Sequence, residues 1–257
     1  MGMFCAKPNV MAHGSGTLAA SGGLGYNCHP TCIPPSIPAN ESSNITFGKY
    51  YAVLNLDVEN GAVVPWENTT AGKDWISNLA CWIDAVHRQH PPPLSIYTAV
   101  AYVNSRKPEL GVQSGHAVPF VSNGAPELFG AADTKTTKIY KGFHVNETAG
   151  DVVLPKARFY AGAGNQLGEI LRAQKIDTVI LSGIATSGVV LATAMRLFDL
   201  DFDVYVVLNN TFQAGAKTSN NDVNEVILTG ILPLLPVKVI TLEQAVDALE
   251  RSGSAKY

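Results

Sequence analysis

From Tyr50 onward the chain alternates between two hydrophobic rhythms. YYAVLNLD is a short apolar run ending at Asp57, and LSIYTAVAYVN, rich in β-branched and aromatic residues, is a second. Between them Ile76, Leu79, Ile83 and Val86 recur at helical spacing, which predicts a helix with one apolar face that ends before Pro91, Pro92 and Pro93. Together these make a βαβ unit. In the second half, Leu167, Ile170 and Leu171 mark a helix, TVILSG a buried strand, Val190, Ala194 and Leu197 another helix, and DVYVVL the next strand. Residues 236–240 predict one more strand, after which Thr241 and Gln244 supply a capping box for the last helix.

Strands that are apolar on both faces and alternate with helices predict an α/β fold: three layers, a mostly parallel sheet and helices on both faces, in a Rossmann-like architecture. No internal repeat is visible. Residues 1 to about 47 are rich in Gly, Pro, Ser and Asn and follow neither rhythm, so they read as an irregular extension ahead of one domain spanning 48–257. Such a segment cannot build its own core. If ordered, it packs as an arm or a lid against the domain or a neighbouring subunit.

Composition narrows the function. A chain of 257 residues, 46% hydrophobic, supports one well-buried core. A net charge of -3 gives no basic footprint for nucleic acid or an anionic membrane, which points to a small-molecule partner. No apolar run approaches the roughly 18 to 20 residues that span a bilayer. The first residues lack a basic stretch followed by an apolar one, so a cytoplasmic location is expected. Asn-x-Ser/Thr triplets at Asn40, Asn44, Asn68, Asn146 and Asn209 then read as chance matches. The cysteines at 5, 28, 32 and 81 read as free thiols; the CHPTC spacing is a weak metal or disulfide signal.

In open parallel sheets the ligand crevice lies beyond the carboxyl ends of the strands. Asp57 ends one apolar strand, Asn104, Ser105 and Arg106 follow another, and Gly183 to Gly188 follow a third. Asp57 has a plain structural alternative, the capping of a turn.

Several separated segments resemble, in order, the isochorismatase-like or cysteine hydrolase family. LNLDVENG is similar to the family's strand-one signature, an apolar run followed by Asp-x-Gln-Asn. The stretch from VVLPKARF through TVILSGIATSGVVLATA resembles the run from the catalytic Lys to the nucleophile turn, and DFDVYVVLNN the strand after it. The likeness covers roughly residues 50–250. It implies Asp57 and Lys156 as catalytic residues, the loop 183–189 as the nucleophile turn with Ala185, Thr186, Gly188 and Val189 against the substrate, a non-proline cis bond at Ile184–Ala185, and a dimer or tetramer. The metal-binding Asp-x-His pattern of the nicotinamidase branch is missing here, so neither metal nor cofactor is expected.

Two departures shape the chemistry. The family's nucleophilic Cys falls at Val189, which cannot attack a carbonyl. Neither Ser187, without an adjacent base, nor Cys81, on an apolar helix, is an evident substitute. Glu59 stands where the family usually has Gln. In extended backbone it faces the same side as Asp57, so either two acids share one site with Lys156 or Glu59 turns outward into solvent.

Isochorismatase itself, as the resemblance implies, cleaves a vinyl ether by acid-assisted hydrolysis without a covalent adduct. The residues therefore suggest a hydrolase acting without a Cys intermediate on a small anionic metabolite. Asp57 would protonate the substrate, Lys156 and Glu59 would set its charge state, and Arg106 would orient an anionic group. Isomerisation or elimination by the same groups, or a non-catalytic binding or assembly member, stays open. His116 and His144 lie in the insert before Lys156 and read as surface or lid residues.

Overall fold

The computed structural model describes residues 44–111, 129–214 and 220–256. Six strands form one sheet: β1 (Tyr51–Leu56), β2 (Leu94–Val100), β3 (Val152–Lys156), β4 (Thr178–Ile184), β5 (Asp203–Phe212) and β6 (Lys238–Ile240). Their spatial order is β3-β2-β1-β4-β5-β6, and every neighbouring pair is parallel. The helices are α1 (Asn60–Val63), α2 (Thr70–His87), α3 (Leu167–Ala173), α4 (Leu191–Phe198), α5 (Asn220–Glu225) and α6 (Leu242–Ser252).

The apolar strands are covered on both sides, as a parallel sheet requires. Tyr51 and Val53 of β1 join the cluster under α2 and α6, which contribute Trp75, Leu79, Ile83, Ala245 and Leu249. Ala52, Leu54 and Leu56 point the other way, onto Leu167 and Leu171 of α3 and Ala194 and Leu197 of α4. Burying one such leucine stabilises by about 1.5–3 kcal/mol. The expected helix around residues 76–86 is α2, whose N-cap Thr69 accepts from the Gly72 N–H. The capping box at Thr241 and Gln244 is present at α6. Strand β3 had no counterpart among the expected strands. It is five residues long and contains Pro155, which an edge strand tolerates because one side of its ladder is unused.

The domain starts earlier than residue 48. Phe47 is 1% exposed, stacks on Tyr51 and Tyr205, and donates its N–H to Ser252 Oγ. The remainder of the expected extension, with the CHPTC segment, lies outside the described residues. Cys81 departs from its expected free-thiol state: it is disulfide-bonded. Among the described residues no helix is long and apolar enough to cross a membrane.

Strand order places the crevice. From β1 the chain builds outward to β2 and β3, then returns to add β4 on the other side, so the connections diverge between β1 and β4. Gly183 makes the two strands close there. Its φ is +137°, and a Cβ on it would lie 2.1 Å from the Leu56 carbonyl oxygen. Only glycine allows that approach.

Candidate active site

At the end of β1 the backbone of Asp57 turns into the left-handed region, at φ +54°, a conformation Asp tolerates better than most residues. Its N–H donates to Thr98 Oγ1 at 2.9 Å, and the Thr98 hydroxyl donates back to Oδ1 at 2.8 Å. Lys156, the last residue of β3, donates from Nζ to Asp57 Oδ2 at 2.7 Å and to the Arg158 carbonyl at 2.7 Å. The side chains of Lys156 and Asp57 are 0% and 8% exposed. Both oxygens of Asp57 are therefore held by donors inside the protein.

Glu59 enters the same environment by a different route from the one expected. Strand β1 stops at Leu56, so strand alternation does not aim this side chain. Glu59 is instead the N-cap of α1, with its carbonyl accepting from Ala62 and Val63 N–H groups, and a bridge to Ile139 fixes its backbone. The residue is fully buried, and neither carboxyl oxygen has a hydrogen-bond partner among the described residues.

The two acids differ in what surrounds them. Burial pushes Asp57 up from its ordinary value, while the Lys156 ammonium and the Thr98 hydroxyl pull it back. Burial and the neighbouring Asp57 charge push Glu59 well above the carboxylate range, against the opposing pull of the Glu59 and Val100 backbone and the Lys156 charge. Both carboxyls are thus raised, and Asp57 is the one whose oxygens meet a cation and a hydroxyl.

The turn after β4 has the expected cis bond between Ile184 and Ala185. Residues Thr186–Val190 then form one π-helical turn, and the α-helix starts at Leu191. Three backbone N–H groups of this segment are taken up within the protein. The Gly188 and Val190 N–H groups donate to the Ala185 carbonyl, and that of Ser187 to Gln213 Oε1. The Thr186 hydroxyl donates to Asn224 Oδ1. Val189 is 1% exposed and packs in the cluster with Leu54 and Leu56. Phe159 lies over Gly188, where a Cβ would come within 3.2 Å of its ring.

Arg106 follows β2 in a loop. It is exposed, its N–H is taken by Asn104 Oδ1, and the cation that acts on both buried acids is Lys156. His144 is an exposed residue 3.8 Å from Asp84, and His116 lies outside the described residues. Among the described residues no group of three or more His, Cys, Asp or Glu is placed to hold a metal ion. A cavity lined by Ala99, Ala101, Tyr140, Phe143, Val153 and Pro155 contains none of the candidate residues.

The sequence reading overlooked Thr98 and Arg158. Thr98 had a signal, a polar residue inside the apolar run LSIYTAV. The Arg158 contribution is a backbone carbonyl, which leaves no trace in residue type.

Residues 51–231 match the model of the isochorismatase domain. A ureidoacrylate amidohydrolase from Serratia proteamaculans is 39% identical over 69 residues, 27% of this chain and 28% of that protein. An isochorismatase family protein from Escherichia coli O157:H7 is 32% identical over 102 residues, 40% of this chain and 51% of that protein. The chain thus spans about half or less of the curated relatives it matches. An isochorismatase family protein from Burkholderia thailandensis superposes with a TM-score of 0.65 at 26% identity, covering 80% of this chain and 98% of the other. With a matched domain over most of its length and the same α/β architecture, this chain belongs to the isochorismatase family.

Proposed function

We propose that the protein is a hydrolase acting on a small metabolite by acid/base chemistry, without a covalent Cys intermediate. The observation that carries this reading is the pairing of two buried carboxyl groups in different surroundings beside one ammonium at the switch point of the sheet. Val189 supplies no nucleophile, so an acyl-enzyme route through that position is closed.

Roles follow from the surroundings. Glu59 donates the proton that the sequence reading gave to Asp57. On a vinyl ether, protonation at carbon leaves an oxocarbenium ion, which the Asp57 carboxylate stabilises. Water adds, its proton passes to the carboxylate now left on Glu59, and the hemiketal releases the alcohol. Lys156 keeps Asp57 ionised and oriented. Arg106, exposed in the loop after β2, would orient an anionic group of the substrate. Self-association keeps one supporting feature, the exposed apolar side chains of Val226, Ile231 and Leu234.

A metabolite mixture incubated with the wild type, Asp57→Asn and Glu59→Gln, and followed by mass spectrometry, tests this. One compound should gain the elements of water with the wild type, and each variant should lose on the order of 10^2 to 10^4 in turnover. Product formed by loss of water or by rearrangement would favour a lyase or isomerase. Wild-type turnover in either variant would remove that residue from the mechanism, and no consumption by any form would favour the binding or assembly reading.

A further inference from the structure

The glycosylation triplets and Cys81 were set aside as chance and packing, yet the fold sorts them. Asn44, Asn68 and Asn146 are all exposed, and so is the threonine of each triplet, Thr46, Thr70 and Thr148. Asn68 sits in the loop just before the N-cap of α2. Asn146 accepts the Ala149 N–H through Oδ1, which leaves Nδ2, the atom a glycan would take, outside that bond. Asn209 is the opposite case. It lies within β5, 8% exposed, with Oδ1 accepting the Leu242 N–H at the start of α6, and its Thr211 is buried.

Cys81 supplies an independent observation. It is 3% exposed on α2 and disulfide-bonded, whereas structural disulfides are rare in a reducing cytosol and usual along the secretory route. We propose that this protein matures in an oxidising secretory compartment and carries N-linked glycans at Asn44, Asn68 and Asn146, with Asn209 unmodified.

The donor would be an oligosaccharide on a lipid pyrophosphate. The Asn Nδ2 forms a bond to the sugar's C1, the bond from C1 to the pyrophosphate oxygen breaks, the lipid pyrophosphate leaves, and one amide proton passes to a base of the transferase. The disulfide forms by exchange with an oxidised dithiol carrier, which takes the two electrons and is itself reduced. On folded protein the three exposed amides project into solvent with room for a sugar chain. A glycan on Asn209 would have to occupy the space between β5 and α6, so chains modified there could not complete the fold.

The test uses the full protein purified from the cells that naturally make it, and does not depend on its activity. Peptide N-glycosidase digestion in ¹⁸O-labelled water should convert Asn44, Asn68 and Asn146 to labelled aspartate, with Asn209 recovered as asparagine. In denaturant, Cys81 should react with iodoacetamide only after reduction. An asparagine left unmodified at any of the three positions, a glycan at Asn209, or a Cys81 that alkylates without reduction would each overturn the proposal.

Discussion

If Glu59 is neutral in the folded protein and ionised in the unfolded chain near neutral pH, replacing it by Gln changes how stability depends on pH, whether or not a substrate is known. A carboxyl raised in the folded state contributes stability that is fully present below its unfolded value, near 4.5, and lost as pH rises through the folded value. Between those limits the unfolded chain has released a proton that the native state still holds. Wild-type stability therefore falls by about 1.36 kcal/mol per pH unit from this residue alone. Glu59→Gln cannot titrate. The stability difference, variant minus wild type, should rise by about 2.7 kcal/mol between pH 5 and pH 7, for as long as the folded value lies above that window. Asp57 is also raised, but it is present in both proteins and largely cancels. Urea unfolding at half-unit pH steps measures the difference, provided that unfolding stays two-state with matched m values. Any constant offset from packing the amide does not matter, because only the slope is read. Curves that run parallel from pH 5 to pH 7 would show Glu59 ionised in the folded state and would refute both its proton and its assigned role.

Other substitutions test the surroundings. Lys156→Met leaves Asp57 buried without its cation, which should cost about 3–5 kcal/mol in urea unfolding, less wherever Asp57 takes up a proton instead. Thr98→Val removes the hydroxyl that both donates to and accepts from Asp57, and should cost about 1–3 kcal/mol by the same measurement. Gly183→Ala forces a methyl against the Leu56 carbonyl at the sheet's centre; a loss of at least about 1–3 kcal/mol is expected, and a variant with an unchanged melting temperature would contradict the close approach of β1 and β4.

The elements were legible because their signals are local. Apolar runs such as YAVLNL read as buried strands, the stripe from Ile76 to Val86 as a helix, and Thr241 with Gln244 as its successor's cap, since each depends on side chains a few residues apart. Strand β3 was missed because Pro155 argues against a strand, and only its edge position makes the proline harmless. The polar end of the first strand singled out Asp57, and the family resemblance added Lys156. That these residues meet at 2.7 Å depends on β3 lying two strands from β1, a choice made by the whole sheet.

Sequence by itself thus determined the fold class, the absence of a nucleophile at Val189 and the residue types that gather at one sheet edge. Tertiary structure decided their states. Arg106 and Glu59 are both charged residues in loops after strands, and nothing in their neighbours distinguishes them. One is left in water, while the other is enclosed by α1 and the bridge to Ile139, where desolvation and the Asp57 charge favour its protonated form. Solvent access and distances to other charges set a carboxyl's protonation, and both belong to the packed molecule rather than to the order of residues along the chain.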